Sequence, residues 1–347
     1  MTTIYLVRHA EAEGNLYRLA QGQFDGLVTK RGYDQIRALR RRFEGIHIDA
    51  VYSSDLFRAR TTARAVSEPR QLPVILREEL REQQLGWWEG LTWQEIGQKD
   101  PEQLQYFHTD LSRLCIEGGE PAAETRARMM AELERIGEAH EGQTVAVFSH
   151  GAAIRMVLGT LCGLELAEMD QRLLGDNTAV SLLEWEDGQL RMVWSNDRTH
   201  LEQAGLTRFV PRGKKQGATR FEDGIGYREL EEADAAALRE QGVSVPEGGV
   251  SIGVCQGAEL AGIVHLAGRD GDAGVVDGYY LLPAFRGRGK SFQAMGQAVM
   301  RYRAEGCKRL RLVNVPEELR AYFGRYGFEE TENGAMEMSI GYEDREI

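Results

Sequence analysis

Cysteine is scarce in this chain: Cys115, Cys162, Cys255 and Cys307 are the four in 347 residues, widely separated and without CxxC spacing. That pattern argues against a disulfide scaffold or a zinc ribbon and fits reduced, buried thiols of a cytoplasmic protein, with no metal site implied. Long apolar runs are also missing. No stretch of about 18 apolar residues occurs, so no membrane span is expected. The opening Met1-Thr2-Thr3 runs straight into a short strand and lacks the basic and apolar regions of a signal peptide. Positive charge is in deficit, with 42 Lys and Arg against 54 Asp and Glu and a net charge of -12. A nucleic-acid surface is therefore not expected; basic pockets for small anions remain open.

What is present is an ordinary soluble composition, 42% hydrophobic and 28% charged. The length predicts two domains. The most informative stretch is Ile4 to Asn15. Four apolar residues, Ile4-Tyr5-Leu6-Val7, lead into Arg8-His9, which reads as a parallel strand buried on both faces and ending on a histidine. A second copy follows at Thr144 to Arg155, where Val145-Ala146-Val147-Phe148 runs into Ser149-His150-Gly151. Ligands of open α/β sheets bind where strands end. If the two strands are neighbours, His9 and His150 share one crevice with the Arg8 guanidinium. Two imidazoles and a fixed cation suit a phosphate dianion.

Further candidates flank these strands. Gln21-Gly22 lies in a loop that can offer backbone N–H groups to an anion, although such glycines are commonly turn punctuation. Thr29 reads as the N-cap of a helix to about Phe43. After the strand Ala50–Ser53, the pair Ser54-Asp55 reads as a helix cap, and Arg58 falls in the first turns, where the helix dipole disfavours a cation unless an anion binds there. In Leu80 to Gly90, Trp87 and Trp88 accompany Glu82 and Glu89. Desolvation by a tryptophan suits a proton donor, with Glu82 the first choice and Glu89 the second. Asp176-Asn177-Thr178 precedes a strand, Ala179–Trp185, expected at the sheet edge and hairpinned to Gln189–Trp194.

Arg8-His9-Ala10, Ser54-Asp55-Leu56-x-Arg58-Ala59-x-x-Thr62-Ala63, Glu82 before Gly86 and Glu89-Gly90, and Ser149-His150-Gly151 together resemble the histidine phosphatase superfamily over about residues 1–205. The branch resembled includes cofactor-dependent phosphoglycerate mutases and broad phosphomonoesterases. The resemblance implies a three-layer α/β/α domain with a mostly parallel sheet, and a phosphomonoester hydrolase needing no cofactor. It makes His9 the nucleophile that becomes phosphohistidine and Glu82 the proton donor. Arg8, Arg58 and His150 would hold the phosphoryl group, and Asn15 and Gln21 would line the pocket. The spacings are too short for the extra segments of the mutases, so hydrolysis is expected ahead of the alternative, phosphoglycerate mutase activity.

Residues 206–222, glycine-rich and basic around Pro211 to Gly217, read as a linker. From 223 to 347 the pattern changes to a strand, a helix over Glu231–Gln241 and a meander of three strands. Then come Leu281-Leu282-Pro283-Ala284-Phe285-Arg286-Gly287-Arg288-Gly289-Lys290-Ser291 and a helix expected to follow directly. A glycine-rich turn into a helix N-terminus is a generic pyrophosphate cradle. With Arg-x-x-Gly-x-Ser at Arg286–Ser291 and Gly327-Phe328 near the end, this part resembles the GNAT acetyltransferase superfamily. It implies a smaller α+β domain with a mostly antiparallel sheet. Acetyl-CoA would be the cosubstrate, held by Leu281, Leu282, Arg286, Gly287, Arg288, Gly289, Lys290 and Ser291. Phe323 stands where many members carry a tyrosine that protonates the thiolate, so a non-catalytic acyl-CoA-sensing or interaction domain is the alternative. The expected partners are a small phosphorylated substrate and an acyl-CoA, with no nucleic acid and no membrane; homo-oligomer formation is left open.

Overall fold

The computed structural model describes residues 1–169, 173–207, 224–286, 292–343 and 345–347. Two sheets organise it. The first contains β1 (Thr2–Arg8), β2 (Ala50–Ser53), β3 (Val74–Leu76), β4 (Thr144–Ser149), β5 (Val180–Glu186) and β6 (Gln189–Asp197) in the order β3-β2-β4-β1-β5-β6. The strands β3, β2, β4 and β1 are parallel, and β5 and β6 add antiparallel pairs. The strand expected at the edge is therefore interior: β5 pairs with β1 on one side and β6 takes the edge.

Alternation along β1 and β4 builds the three layers. Tyr5, Val7, Ala146 and Phe148 face α2 (Lys30–Arg42) and α3 (Phe57–Arg70), packing on Ile36, Leu39, Ala63 and Val66. Ile4, Leu6, Val145 and Val147 face the other way, onto Leu133 and Ile136 of α6 (Ala122–Ala139) and Val157 and Leu158 of α7 (Gly151–Leu161). Short helices complete this half: α1 (Glu13–Tyr17) after β1, α4 (Trp93–Lys99) and α5 (Pro101–Thr109) before α6, and α8 (Thr199–Gln203) after β6. Thr29 caps α2 by accepting from Gly32 N. The cap of α3 differs from expectation. Its first N–H, on Phe57, is satisfied by Asp25 of the loop before α2, at 2.8 Å, while Asp55 turns away to pair with Arg81.

The second sheet has the order β12-β13-β11-β10-β9-β8-β7, formed by β7 (Gly226–Glu229), β8 (Val250–Gln256), β9 (Glu259–Asp270), β10 (Ala273–Leu281), β11 (Arg309–Leu312), β12 (Glu329–Glu330) and β13 (Met336–Ser339). All neighbours are antiparallel except β10 and β11. Three helices, α9 (Glu232–Glu240), α10 (Met295–Ala304) and α11 (Glu317–Gly324), accompany it. Helix α10 begins three residues later than the sequence suggests, because Phe292 is drawn into the core. Its ring stacks on Tyr326 at 3.8 Å, and residues 292–294 form a turn rather than helix. The expected linker falls largely on residues 208–223, outside the described residues.

The two halves meet closely. Leu19 and Tyr17, from the segment after β1, belong to the hydrophobic core of the second sheet.

Candidate active site

Strands β1 and β4 lie side by side with Arg8 opposite Ser149, and the His9 N–H donates to Ser149 O at 2.9 Å. This register brings the two histidines together at the carboxyl end of the sheet, with ring centroids 5.2 Å apart. His9 is 3% exposed. Its Nδ1 lies 2.7 Å from Ala10 O, a carbonyl that can only accept, so Nδ1 carries the proton and Nε2 keeps its lone pair. Burial, reinforced by Arg58 and then Arg8, pulls the His9 pKa well below its ordinary value, and the ring is neutral at pH 7.

The cations are fixed rather than floating. Arg58 is fully buried and donates to Gly22 O at 2.6 Å and Phe24 O at 2.8 Å, with the Asp25 carboxylate 3.9 Å away. Thr62 ties this helix to the strand end: its hydroxyl donates to Arg58 O and accepts from Ala10 N. Arg8 donates to Gly175 O at 2.5 Å. A side chain on Gly151 would place its Cβ 3.1 Å from the Arg8 guanidinium, so the glycine after His150 lets that guanidinium lie close against the start of α7. His150 itself is fully buried behind His9, with Nε2 2.8 Å from Ser54 Oγ; burial is the main cause of its lowered pKa.

Glu82 sits at the N-terminus of α7, where its carboxylate accepts from Ala152 N at 3.0 Å and Ala153 N at 2.8 Å. The tryptophans are not its environment. Trp88 is buried in the core beside α4 and α5, its indole N–H donating to Asp100, and Trp87 is 40% exposed. Glu89 has a structural task, accepting from Gln23 N and Leu85 N at 2.9 Å. The same carboxylate explains Gly22, whose φ is +48° and whose Cβ would lie 2.2 Å from Glu89 Oε1. Asn15 accepts from Ala12 N through Oδ1, which leaves its amide N–H₂ available.

Arg8, His9, Asn15, Gln21, Gly22, Arg58 and Glu82 line one cleft. His150 is not among the lining residues. Sequence reasoning missed several that are. Gln83 lines the cleft and is held by Glu120 O, while Trp93, Phe107, His108 and Arg155 line it as well. Arg155 is 2% exposed, and burial followed by Arg155 lowers the His108 pKa to about 4. Asn177 was also missed; its amide donates to His9 O at 3.0 Å and to Asn15 Oδ1 at 3.2 Å.

In the second half, Leu281 is buried, Leu282 N donates to Ala261 O, and Arg286 Nε donates to Leu281 O at 2.8 Å. Gly287, Arg288, Gly289, Lys290 and Ser291 lie outside the described residues. Strands β10 and β11 pair only from Ala273 to Val276, after which β10 continues beside β9 to Leu281.

Residues 4–198 match the model of the histidine phosphatase superfamily (branch 1), and the chain belongs to that family. Residues 218–328 match the model of the acetyltransferase (GNAT) family, which gives the chain its second domain. Among similar proteins, phosphoserine phosphatase 1 of Hydrogenobacter thermophilus is 31% identical over 201 residues, 58% of this chain and 95% of that protein. The metal-independent phosphoserine phosphatase of Arabidopsis thaliana is 32% identical over 216 residues, 61% of this chain and 87% of that one. Of solved structures, YhfR of Bacillus stearothermophilus superposes with a TM-score of 0.56 at 30% identity, covering 58% of this chain and all of that one.

Proposed function

We propose that the first domain hydrolyses a small phosphomonoester through a phosphohistidine at His9. The observation that carries this reading is the fixed Nδ1–H to Ala10 O bond, which presents a neutral Nε2 lone pair in a cleft shared with two arginines. Nε2 attacks phosphorus, and the bond from phosphorus to the ester oxygen breaks. The departing alkoxide takes a proton from the Glu82 carboxyl group. Water then attacks the phosphohistidine and loses its proton to the Glu82 carboxylate. The N–P bond breaks, releasing inorganic phosphate and restoring neutral His9. Arg8, Arg58 and Asn15 offset the charge on the phosphoryl oxygens throughout, with the buried imidazole of His150 behind them.

The substrate is proposed to be a phosphorylated hydroxy or amino acid. Arg155 on the cleft wall suits a carboxylate, and two of the similar proteins are named as phosphoserine phosphatases. Rapid quenching with radiolabelled phosphoserine, followed by assay for an acid-labile, base-stable label on the protein, tests the intermediate. No label with turnover intact would remove His9 from the mechanism, and transfer of label between positions of 3-phosphoglycerate would favour the mutase reading.

The second domain is proposed to bind an acyl-CoA where β10 and β11 part, since a diverging parallel pair leaves an edge for an extended ligand arm. Leu281, Leu282 and Arg286 stand at that strand end. When bound, the group supplies an activated thioester. The Phe323 ring, 3% exposed against Tyr279 and Phe328, brings no hydroxyl to protonate a thiolate, so binding without transfer is the favoured form. Calorimetry with acetyl-CoA, followed by an amine-acceptor screen, tests it. The four cysteines are free, Cys255 and Cys307 buried and, against expectation, Cys115 and Cys162 exposed, and no helix among the described residues is long and apolar enough to cross a membrane.

A further inference from the structure

Helix α1 is only five residues long, yet its two faces serve different domains. Gly14, Asn15 and Arg18 line the phosphatase cleft. Glu13, Leu16 and Tyr17, spaced i, i+3 and i+4, turn the other way into the second domain. Tyr17 is 1% exposed, and its ring lies nearly parallel to Phe292 at 5.9 Å and against Gly296, where an added Cβ would be 2.8 Å from the tyrosine ring. Beside it, Arg303 of α10 grips the Glu13 carboxylate with both arms of its guanidinium, at 2.5 and 2.8 Å, and donates through Nε to Ile340 O at 2.7 Å. Both side chains of this pair are nearly buried.

The grip extends into the loop that aims Arg58. Glu13 Oε2 also accepts from Leu27 N at 2.9 Å, and Glu13 N donates to Leu27 O. Two residues earlier, the Asp25 carbonyl accepts from the hydroxyl of Tyr342, whose ring packs edge-on against Phe57 at 5.5 Å. Between Gln21 and Leu27, the carbonyls of Gly22 and Phe24 receive the Arg58 guanidinium, and the Asp25 carboxylate receives Phe57 N. The segment bounding the cleft at Asn15, Gln21 and Gly22 is thus pinned from behind at both of its ends.

We propose that Arg303 and Tyr342 of the second domain are positioning residues for phosphate capture in the first, holding segment 13–27 so that Arg58, Asn15 and Gln21 meet the phosphoryl oxygens in a fixed arrangement. The inference rests on the phosphatase reading of the cleft. It separates binding from chemistry: His9 and Glu82 are held by β1, β4 and α7, which Arg303 and Tyr342 do not touch.

The test uses the full chain and orthovanadate as the probe, with an aryl phosphate as substrate, below the thermal transition of each variant. Arg303→Met is expected to raise both the inhibition constant for vanadate and KM about tenfold, with kcat little changed. Arg303→Lys, which keeps one arm of the grip, falls between that variant and the parent. Tyr342→Phe removes a single hydroxyl and is expected to raise the same constants about threefold. Arg309→Met, which breaks an exposed ion pair on the far side of the second sheet, serves as the control and leaves all three constants as they were. If Arg303→Met does not fold, the lysine and Tyr342→Phe variants decide. Unchanged vanadate inhibition in both, or a loss confined to kcat, overturns the proposal. A parent protein that neither turns over substrate nor binds vanadate overturns the phosphatase reading itself, and this inference with it.

Discussion

The strand ends in the two halves of the molecule are furnished in opposite ways. Where β1 and β4 stop, the chain buries two imidazoles and the Arg58 guanidinium, and fixes each by a hydrogen bond to a carbonyl or hydroxyl. Where β10 and β11 part, the nearby side chains are rings: Phe292 stacked on Tyr326, with Tyr322, Phe323 and Phe328 around them. Burying cations and imidazoles costs stability that hydrogen bonds only partly offset, a cost that functional sites commonly carry, whereas packing rings stabilises a fold outright. The contrast is in keeping with the two proposals above, catalysis at the first strand ends and ligand binding at the second.

That contrast can be broken most directly at His9. His9→Ala is expected to lower phosphate release by about a thousandfold or more and abolish covalent labelling, while the heat of acetyl-CoA binding is unaltered. Activity surviving in this variant would dissolve the distinction. Next in size is Arg58. Arg58→Lys keeps the charge but loses the fork that meets both Gly22 O and Phe24 O, and a roughly hundredfold fall in kcat/KM is expected, measured on an aryl phosphate. Glu82→Gln should slow an alkyl phosphate by about a hundredfold and an activated aryl phosphate only severalfold; equal slowing would point to another proton donor.

The acid side sharpens the comparison further. Folding lowers the pKa values of His9 and His150, so the unfolded chain binds more protons than the folded one once pH drops below about 6.5. Stability therefore falls as the solution is acidified through that point and is fully present above it. Each histidine accounts for ~1.4 kcal/mol per pH unit until its folded value is reached. Denaturant titrations of the His9→Ala variant at pH 7.5 and 5.5 check this; its loss of stability between the two should be smaller than that of the parent. The smallest effect is expected in the second domain, where Phe323→Tyr would set a hydroxyl among rings at a cost of about 1–2 kcal/mol and leave phosphate release as it was.

Much of this could be read from the residues alone, because the relevant signals are local. An apolar run ending in Arg8-His9, repeated before His150, pointed to a crevice on the condition that the two strands are neighbours, and β1 and β4 do pair. Arg58 stood out because a helix start disfavours a cation. What escaped depends on residues distant in sequence meeting in space. The cap of α3 comes from Asp25 rather than from the adjacent Ser54-Asp55, because the loop that reaches Arg58 also reaches Phe57. In the sequence the tryptophans stand near Glu82, yet its carboxylate is held by the start of α7, a helix lying some 70 residues on. Gln83, Arg155 and Asn177 carry no pattern that separates them from surface polar residues. In the second half, the aromatic spacing around Phe292 gave no sign that its ring would delay the start of α10.

Helix α1 also constrains how the chain can change. A substitution at Glu13 or Tyr17 must suit the packing of one sheet, and its neighbours Gly14 and Asn15 must suit the anion pocket of the other. Residues 13–18 therefore have less freedom to vary than either surface alone would demand. Releasing the first domain from its companion would also lay Leu16 and Tyr17 open to water, creating an apolar patch prone to self-association.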